Sequence, residues 1–382
     1  MKKIAFSGTL DPITNGHMWV IQEARAMASE VVIFISENPG KKPQFPAEKR
    51  KAIIEQSLAL QGWDDVSVML IKGDYTARAA KRLGIDYLIR GIRNTSDFDY
   101  ENLIQQTNVD VLHGAKTIFI MPPRDLGSVS SSFVRALQGP VGWHWSVKQF
   151  LPKPAYTAWL IDWLQQDWAS LWQLENADIQ ARAALWFERL TGETAYGSAA
   201  RHYHNLDHLV HGLSEITAWG RNINACADDV ATLKKAFWFH DVVYDVPHGD
   251  LSNEEASARL WLESSLPKTA GEAEDVASLI RATDHLQENA ITHKLKQVML
   301  SVDLAILGQT AHVYNDYAVA IRAEYAIVEE SMYKIRRKQI LEYFLQQATA
   351  GTLLPDAYFS SLYGQSAVEN LGREIADLTG AV

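Results

Sequence analysis

Residues 8–17 read GTLDPITNGH, behind the apolar run Ile4-Ala5-Phe6 and ahead of an amphipathic stretch. The run predicts a short buried strand, Gly8 frees the backbone to turn, and Asn15 with Gly16 marks the start of a helix. His17 then falls in a first helical turn, where unpaired backbone N–H groups and the positive end of the helix dipole favour a phosphate. Trp19, Val20 and Ala24 continue at helical spacing, and Val31 to Ile35 form a second apolar, β-rich run. Strand, helix and strand within about 35 residues predict a parallel pair with a right-handed crossover. The pattern repeats, with helices expected over 48–60, 77–83 and 97–112 and strands over 66–71, 87–89 and 117–121. The fold class that follows is a doubly wound, Rossmann-like α/β parallel sheet.

In such sheets ligands sit beyond the carboxyl ends of the strands, and four unusual polar loops fall there. They are GTLDPITNGH, Asn38 to Pro43, Arg90-Gly91-Ile92-Arg93 and Val129-Ser130-Ser131-Ser132. Taken singly, Arg90 and Arg93 can pair with Asp97, Asp99 or Glu101, Lys41 can be a solvated loop lysine, and the serines can cap the helix that follows. Taken together, two guanidiniums, an ammonium, a histidine and two helix starts around one cleft call for a polyanion.

The chain of 382 residues exceeds the usual size of one hydrophobic core, so two domains are expected. Its 36 basic and 46 acidic residues leave a net charge of −10, which argues against nucleic acid as a partner. Cys226 stands alone, so no intrachain disulfide forms. No signal peptide is read, and no apolar run approaches the roughly 20 residues that cross a bilayer. The expectation is a cytoplasmic protein that does not use a membrane.

Gly139, Pro140, Gly142, Pro152 and Pro154 punctuate a change of pattern. The boundary is placed there, giving domains 1–154 and 155–382. Beyond it only helices are read, over 155–174, 176–191, 205–219, 228–241, 252–265, 270–284, 290–304, 309–327, 329–348 and 364–378, an all-α domain. Trp159, Trp163, Trp168, Trp172 and Trp186 have the helical spacing of core or interface packing. The chemistry begins at Arg201 to His208: His204 and His208, on one helix, share a face and can address one ion. The adjacent pair His240-Asp241 ends an apolar helix, and Asp303 lies within another, where an unpaired charge costs several kcal/mol. A metal would offset that cost.

Residues 1–152 resemble the pantetheine-phosphate adenylyltransferase family, which makes dephospho-coenzyme A from ATP and 4′-phosphopantetheine. The resemblance is carried by GTLDPITNGH, NPGKKPQF (38–45), RGIRNTSDFDYE (90–101), VSSSFVRAL (129–137) and QFLP (149–152). It implies that Thr9 touches both substrates, that His17 stabilises the transition state, and that Lys41 and Arg90 hold the phosphopantetheine phosphate. Gly91, Arg93, Glu101 and the segment Leu126, Gly127, Ser128, Val129, Ser130, Ser131 and Ser132 would contact ATP, with Leu10, Thr76 and Ile92 also at the substrates. Mg²⁺ is expected with the triphosphate, and self-association into ring-like oligomers follows from the same resemblance. Three positions depart from the family: Gly73-Asp74-Tyr75-Thr76 replaces an apolar pair at the pantetheine arm, Val109 replaces a basic residue, and Leu10 replaces an aromatic one. The expected acceptor is therefore phosphopantetheine or another phosphate, such as a different small phosphate ester or a mononucleotide.

RHYHNLDH (201–208), WFHDVVYD (238–245) and SVDLAILG (301–308) resemble the HD superfamily of metal-dependent phosphohydrolases, over about residues 185–345. YHNLDH is also similar to the YHN-x-x-H signature of cyclic-nucleotide phosphodiesterases. The resemblance implies His208, His240, Asp241 and Asp303 as metal ligands and His204 as the acid that protonates a leaving oxygen; the spacing also permits His204 as the ligand. Arg201 and His285 would touch the ligands or the phosphate, whereas Arg322 and Tyr325 are read as structural. Mixed imidazole and carboxylate ligation suits Mn²⁺, Fe²⁺, Zn²⁺ or Mg²⁺, one ion or two according to whether Asp245 or His285 bridges. The whole reads as a bifunctional enzyme, the alternative for the helical half being a regulatory nucleotide-binding module.

Overall fold

The structure, a computed structural model, describes residues 2–36, 42–111, 114–246, 249–285 and 290–380. The chain divides into two compact units, Met1–Trp159 and Leu160–Val382. The division falls a few residues beyond the Pro152 and Pro154 punctuation.

In the first unit the elements alternate as β1 (Lys3–Gly8), α1 (Asn15–Met27), β2 (Glu30–Ser36), α2 (Ala47–Leu60), β3 (Val66–Ile71), α3 (Thr76–Arg82), β4 (Tyr87–Gly91), α4 (Thr95–Gln106) and β5 (Lys116–Ile120). Then follow α5 (Ser131–Leu137), α6 (Trp143–Lys148) and α7 (Lys153–Trp172), within which the division between the units falls. All pairings are parallel and the strand order is β3-β2-β1-β4-β5, with Phe6 opposite Ile33 on one side and Ile89 on the other. The order reverses between β1 and β4, so a crevice opens at their carboxyl ends. Unbroken apolar strands are what a sheet covered on both faces requires. Val32, Phe34, Ala79, Ala80 and Leu88 form one buried cluster beneath it.

The helix α1 starts at Asn15 as expected, capped by Thr14: the Thr14 hydroxyl accepts from the His17 N–H, while the Asn15 amide donates to the Gln149 carbonyl at 2.9 Å. One local expectation shifts. The helix expected over 97–112 starts at Thr95, because the Asn94 side chain caps it, and gives way at Thr107–Val111 to a wider π turn.

The second unit continues with α8 (Ala177–Thr191), α9 (Leu206–Asn222), α10 (Ala227–Phe239), α11 (Asn253–Glu263), α12 (Ala270–Ala282), α13 (Lys296–Asp303), α14 (Ala311–Glu324), α15 (Glu330–Thr349) and α16 (Ala357–Thr379). The last begins seven residues before the expected 364, where the Asp356 carboxylate accepts from the Tyr358 N–H. Tryptophan packing dominates its start: Trp168 meets Trp238 edge-on at 4.9 Å and donates to the Ala183 carbonyl at 2.8 Å, and Trp186 donates to the Ser264 carbonyl at 3.1 Å. Trp172 is buried, and Trp159 packs against Phe45 in the first unit. No helix among the described residues is long and apolar enough to cross a membrane.

Candidate functional site

At the carboxyl ends of β1 and β4 lies a cavity of about 620 Å³. Of the residues singled out in the sequence, Thr9, Leu10, His17, Thr76, Arg90, Gly91, Arg93, Glu101, Leu126, Val129, Ser130, Ser131 and Ser132 line it. Ile92, Gly127 and Ser128 do not: Ile92 is turned into the core, its N–H bound to the Ile120 carbonyl, and Gly127 closes a turn onto Arg124. Lys41 lies outside the described residues; its neighbour Lys42 lines the cavity, as do Asp74, Tyr75, Tyr100 and Arg135.

The backbone N–H of Thr14 donates to Nδ1 of His17 at 3.0 Å. Nδ1 must therefore be the bare nitrogen, which leaves the ring proton on Nε2. Burial, helped by the positive charge of Arg93, pushes the His17 pKa down to about 4, so the ring is a neutral donor at physiological pH. Both bland and functional expectations for the arginines meet: Arg90 pairs with Glu101 at 3.2 Å and bonds the Ser7 carbonyl, and Arg93 makes a two-point contact with Asp97 at 2.7 and 3.1 Å. The carboxylates hold the guanidiniums in place at the cavity wall.

Sequence reading passed over Asp11, which is 2% exposed. Its carboxylate accepts the N–H groups of Gln44 at 2.6 Å and Phe45 at 3.1 Å, and Arg50 reaches from α2 to the carbonyls of Phe45 and Thr9. These bonds tie the β1 and β2 loops together. Its one signal was an acidic residue set between the apolar Leu10 and Pro12-Ile13.

A second group forms in the helical unit. His208 on α9, His240 and Asp241 just past α10, and Asp303 at the end of α13 place four donor atoms within 4.8 Å of one another. Nε2 of His240 lies 3.1 Å from Asp241 and 3.3 Å from Asp303, Nε2 of His208 lies 3.5 Å from each, and the two Nε2 atoms are 3.0 Å apart. Metal–ligand bonds of about 2.0–2.2 Å space neighbouring ligand atoms about 3.0–3.5 Å apart, so this donor set fits a divalent ion. The helix expected to run to residue 241 ends at Phe239, and leaving the helix is what lets the adjacent His240 and Asp241 converge. His240 Nδ1 donates to the Phe237 carbonyl at 2.8 Å, which aims Nε2 at the carboxylates.

Burial opposes every charge here, yet attraction to Asp241 and Asp303 holds His240 well above the usual imidazole range. Against the same burial, His240 holds Asp241 down to about 2 and Asp303 well below the carboxylate range. Burial and the neighbouring His240 push His208 down to about 3. The group is tuned to keep positive charge between the carboxylates.

His204 precedes α9, so it shares no helical face with His208. It nevertheless reaches the group, with Nε2 4.0 Å from Asp241. Arg201 spends its guanidinium on the carbonyls of Asp241 and Val242 at 2.7 and 2.8 Å, and His285 bonds the second oxygen of Asp303 at 2.8 Å. Asp245 is exposed and outside the group. Arg322 bonds Glu330 and two backbone carbonyls, a structural role, while the Tyr325 hydroxyl meets that of Tyr244 at 3.4 Å. Glu324 was missed: its carboxylate, 3% exposed, bonds Nδ1 of His204 at 2.7 Å. A carboxylate in the last turn of a helix works against the dipole, which was the one hint.

An open parallel sheet with a histidine-bearing turn above its switch point is the frame of a nucleotidyltransferase, and residues 5–137 match the cytidylyltransferase-like family. The phosphopantetheine adenylyltransferase of Chromobacterium violaceum is 34% identical over 166 residues, 44% of this chain and the whole of that relative. Those of Lacticaseibacillus paracasei and Histophilus somni are 35% and 36% identical, covering 41% and 35% of this chain and 92% and 84% of their own lengths. Through this region the chain belongs to the phosphopantetheine adenylyltransferase family.

Proposed function

We propose that the first unit transfers the adenylyl group of ATP to 4′-phosphopantetheine, giving dephospho-coenzyme A and pyrophosphate, and that the helical unit hydrolyses a phosphate ester. For the transferase, the observation that carries the reading is the neutral Nε2 donor of His17 in a cavity shared with Arg90, Arg93 and the Ser130–Ser132 turn. A phosphate oxygen of the acceptor attacks the α-phosphorus in line and pyrophosphate leaves, so the chain supplies no nucleophile. Its residues hold two anions together, and His17 donates to the charge that builds on the phosphorane oxygens. Mg²⁺ accompanies the triphosphate. Pyrophosphate release from ATP, Mg²⁺ and phosphopantetheine tests this; no release sinks it. Asp74 and Tyr75 on the cavity wall favour a second acceptor, a more polar small phosphate ester, which the same assay run with other acceptors detects.

For the helical unit, the convergence of His208, His240, Asp241 and Asp303 supports an HD-type metallophosphohydrolase. These four residues would hold a divalent ion, which would lower the pKa of a water and polarise a phosphoryl oxygen. Phe237 and His285 orient the ligands, Arg201 braces the Asp241 backbone, and His204 faces the reacting oxygens with Nε2. A panel of phosphate mono- and diesters with Mn²⁺ tests it, phosphate or alcohol release being the readout. A metal-loaded chain that hydrolyses none would leave the regulatory reading standing.

A further inference from the structure

We propose that Glu324 is the positioning residue of the helical site, turning the His204 ring so that Nε2 faces the reacting oxygens beside Asp241. The inference rests on the hydrolytic reading above.

Glu324 is built into the site from both of its oxygens. Oε1 accepts the backbone N–H groups of Tyr203 at 2.7 Å and His204 at 2.9 Å, and Oε2 bonds Nδ1 of His204 at 2.7 Å. One carboxylate thus fixes the backbone that carries the imidazole and the imidazole itself. Tyr244 stacks on the ring at 3.8 Å between centroids, closing one face, and Tyr203 closes another edge-on at 4.8 Å. With Nδ1 held by an acceptor, the single free ring atom is Nε2, and it is this atom that lies 4.0 Å from Oδ2 of Asp241. His204 comes from a turn, not a helix, so nothing in its own local structure sets the ring angle. The constraint comes from α14.

The step this serves balances as follows. Water adds to phosphorus, the ester P–O bond breaks with its electron pair on the leaving oxygen, and that oxygen takes the proton from His204 Nε2. The ring gives this proton as an imidazolium, and the proton lost by the water restores the imidazolium, so ester plus water gives alcohol plus phosphate. Proton delivery matters for an alkoxide, which leaves poorly, and little for p-nitrophenolate, which leaves unaided.

Glu324→Gln keeps the size of the side chain and its Oε1 anchor, while replacing the Oε2 acceptor by an N–H donor. In the Mn²⁺-loaded full chain this variant should retain wild-type metal content. Hydrolysis of an alkyl phosphate such as glycerol phosphate should fall by about 10²-fold or more, and that of p-nitrophenyl phosphate by less than about tenfold. Equal losses on both esters, or no loss on either, would overturn the positioning role while leaving the hydrolase intact. A metal-loaded wild-type chain that cleaves neither ester would overturn the hydrolytic reading and this inference with it.

Discussion

Nε2 of His208 and Nε2 of His240 meet at 3.0 Å inside the helical unit, between the carboxylates of Asp241 and Asp303. Two imidazoles and two carboxylates gathered this closely are held apart in sequence by as many as 95 residues, from His208 to Asp303. A positive charge shared among them would offset the cost of burying the two carboxylates together.

Divalent metal should therefore stabilise the fold. At a hundredfold excess over its Kd, Mn²⁺ should contribute about 2.7 kcal/mol and raise the melting temperature of the helical unit by about 5–10 °C. In a chain carrying His240→Ala and Asp241→Ala the shift should vanish, and elemental analysis should find the metal gone. Calorimetry of the full chain checks both.

The Gly212 position links packing to that site. A Cβ there would stand 2.0 Å from the Phe237 ring, and Phe237 is also the residue whose carbonyl orients His240. Gly212→Ala should cost about 1–3 kcal/mol by overpacking and lower metal affinity, although residue 212 touches no ligand. Denaturant unfolding with and without Mn²⁺ separates the two effects.

His17→Ala should reduce adenylyl transfer by about 10²–10³-fold while changing ATP affinity little, since its donor acts on charge present chiefly in the transition state. Pyrophosphate release and equilibrium ATP binding are the measurements. Metal content of the helical unit should not change.

The titration of His17 has a definite sign. Its folded-state pKa of about 4 lies below the ordinary 6.5, so between these values the unfolded chain binds a proton that the native chain refuses. The contribution is complete above about 6.5 and declines as the pH falls towards 4. Arg93→Gln removes one of the two causes and should move the midpoint of the His17 ring titration, followed by NMR, upward, with burial still holding it below 6.5. An unmoved midpoint would remove Arg93 from the account.

Replacing Asp74 and Tyr75 together by leucine restores the apolar character that the family resemblance leads one to expect at the pantetheine arm. KM for phosphopantetheine should fall and KM for ATP should hold. A rise in both would place these residues in the scaffold of the cavity instead, Asp74 being bonded to Arg82 at 3.0 Å.

The α/β order of the first unit was legible because apolar runs and helical spacing are local properties, and because GTLDPITNGH carries turn, cap and histidine in one stretch. Residue types for both sites were legible for the same reason: His17, Arg90, His208, His240, Asp241 and Asp303 are chemically conspicuous where they stand. What the sequence could not decide is which of them a third element would hold. That the Thr14 backbone N–H donates to Nδ1 of His17, and so sets its tautomer, follows from the capping geometry of the folded turn. That Asp11 ties two loops together, that Ile92 turns into the core, and that Glu324 grips His204 across 120 residues are settled by packing between distant segments. Composition and periodicity determine elements, because hydrogen bonding along the backbone is local; partners of buried polar groups are decided only when the tertiary fold brings an acceptor within reach.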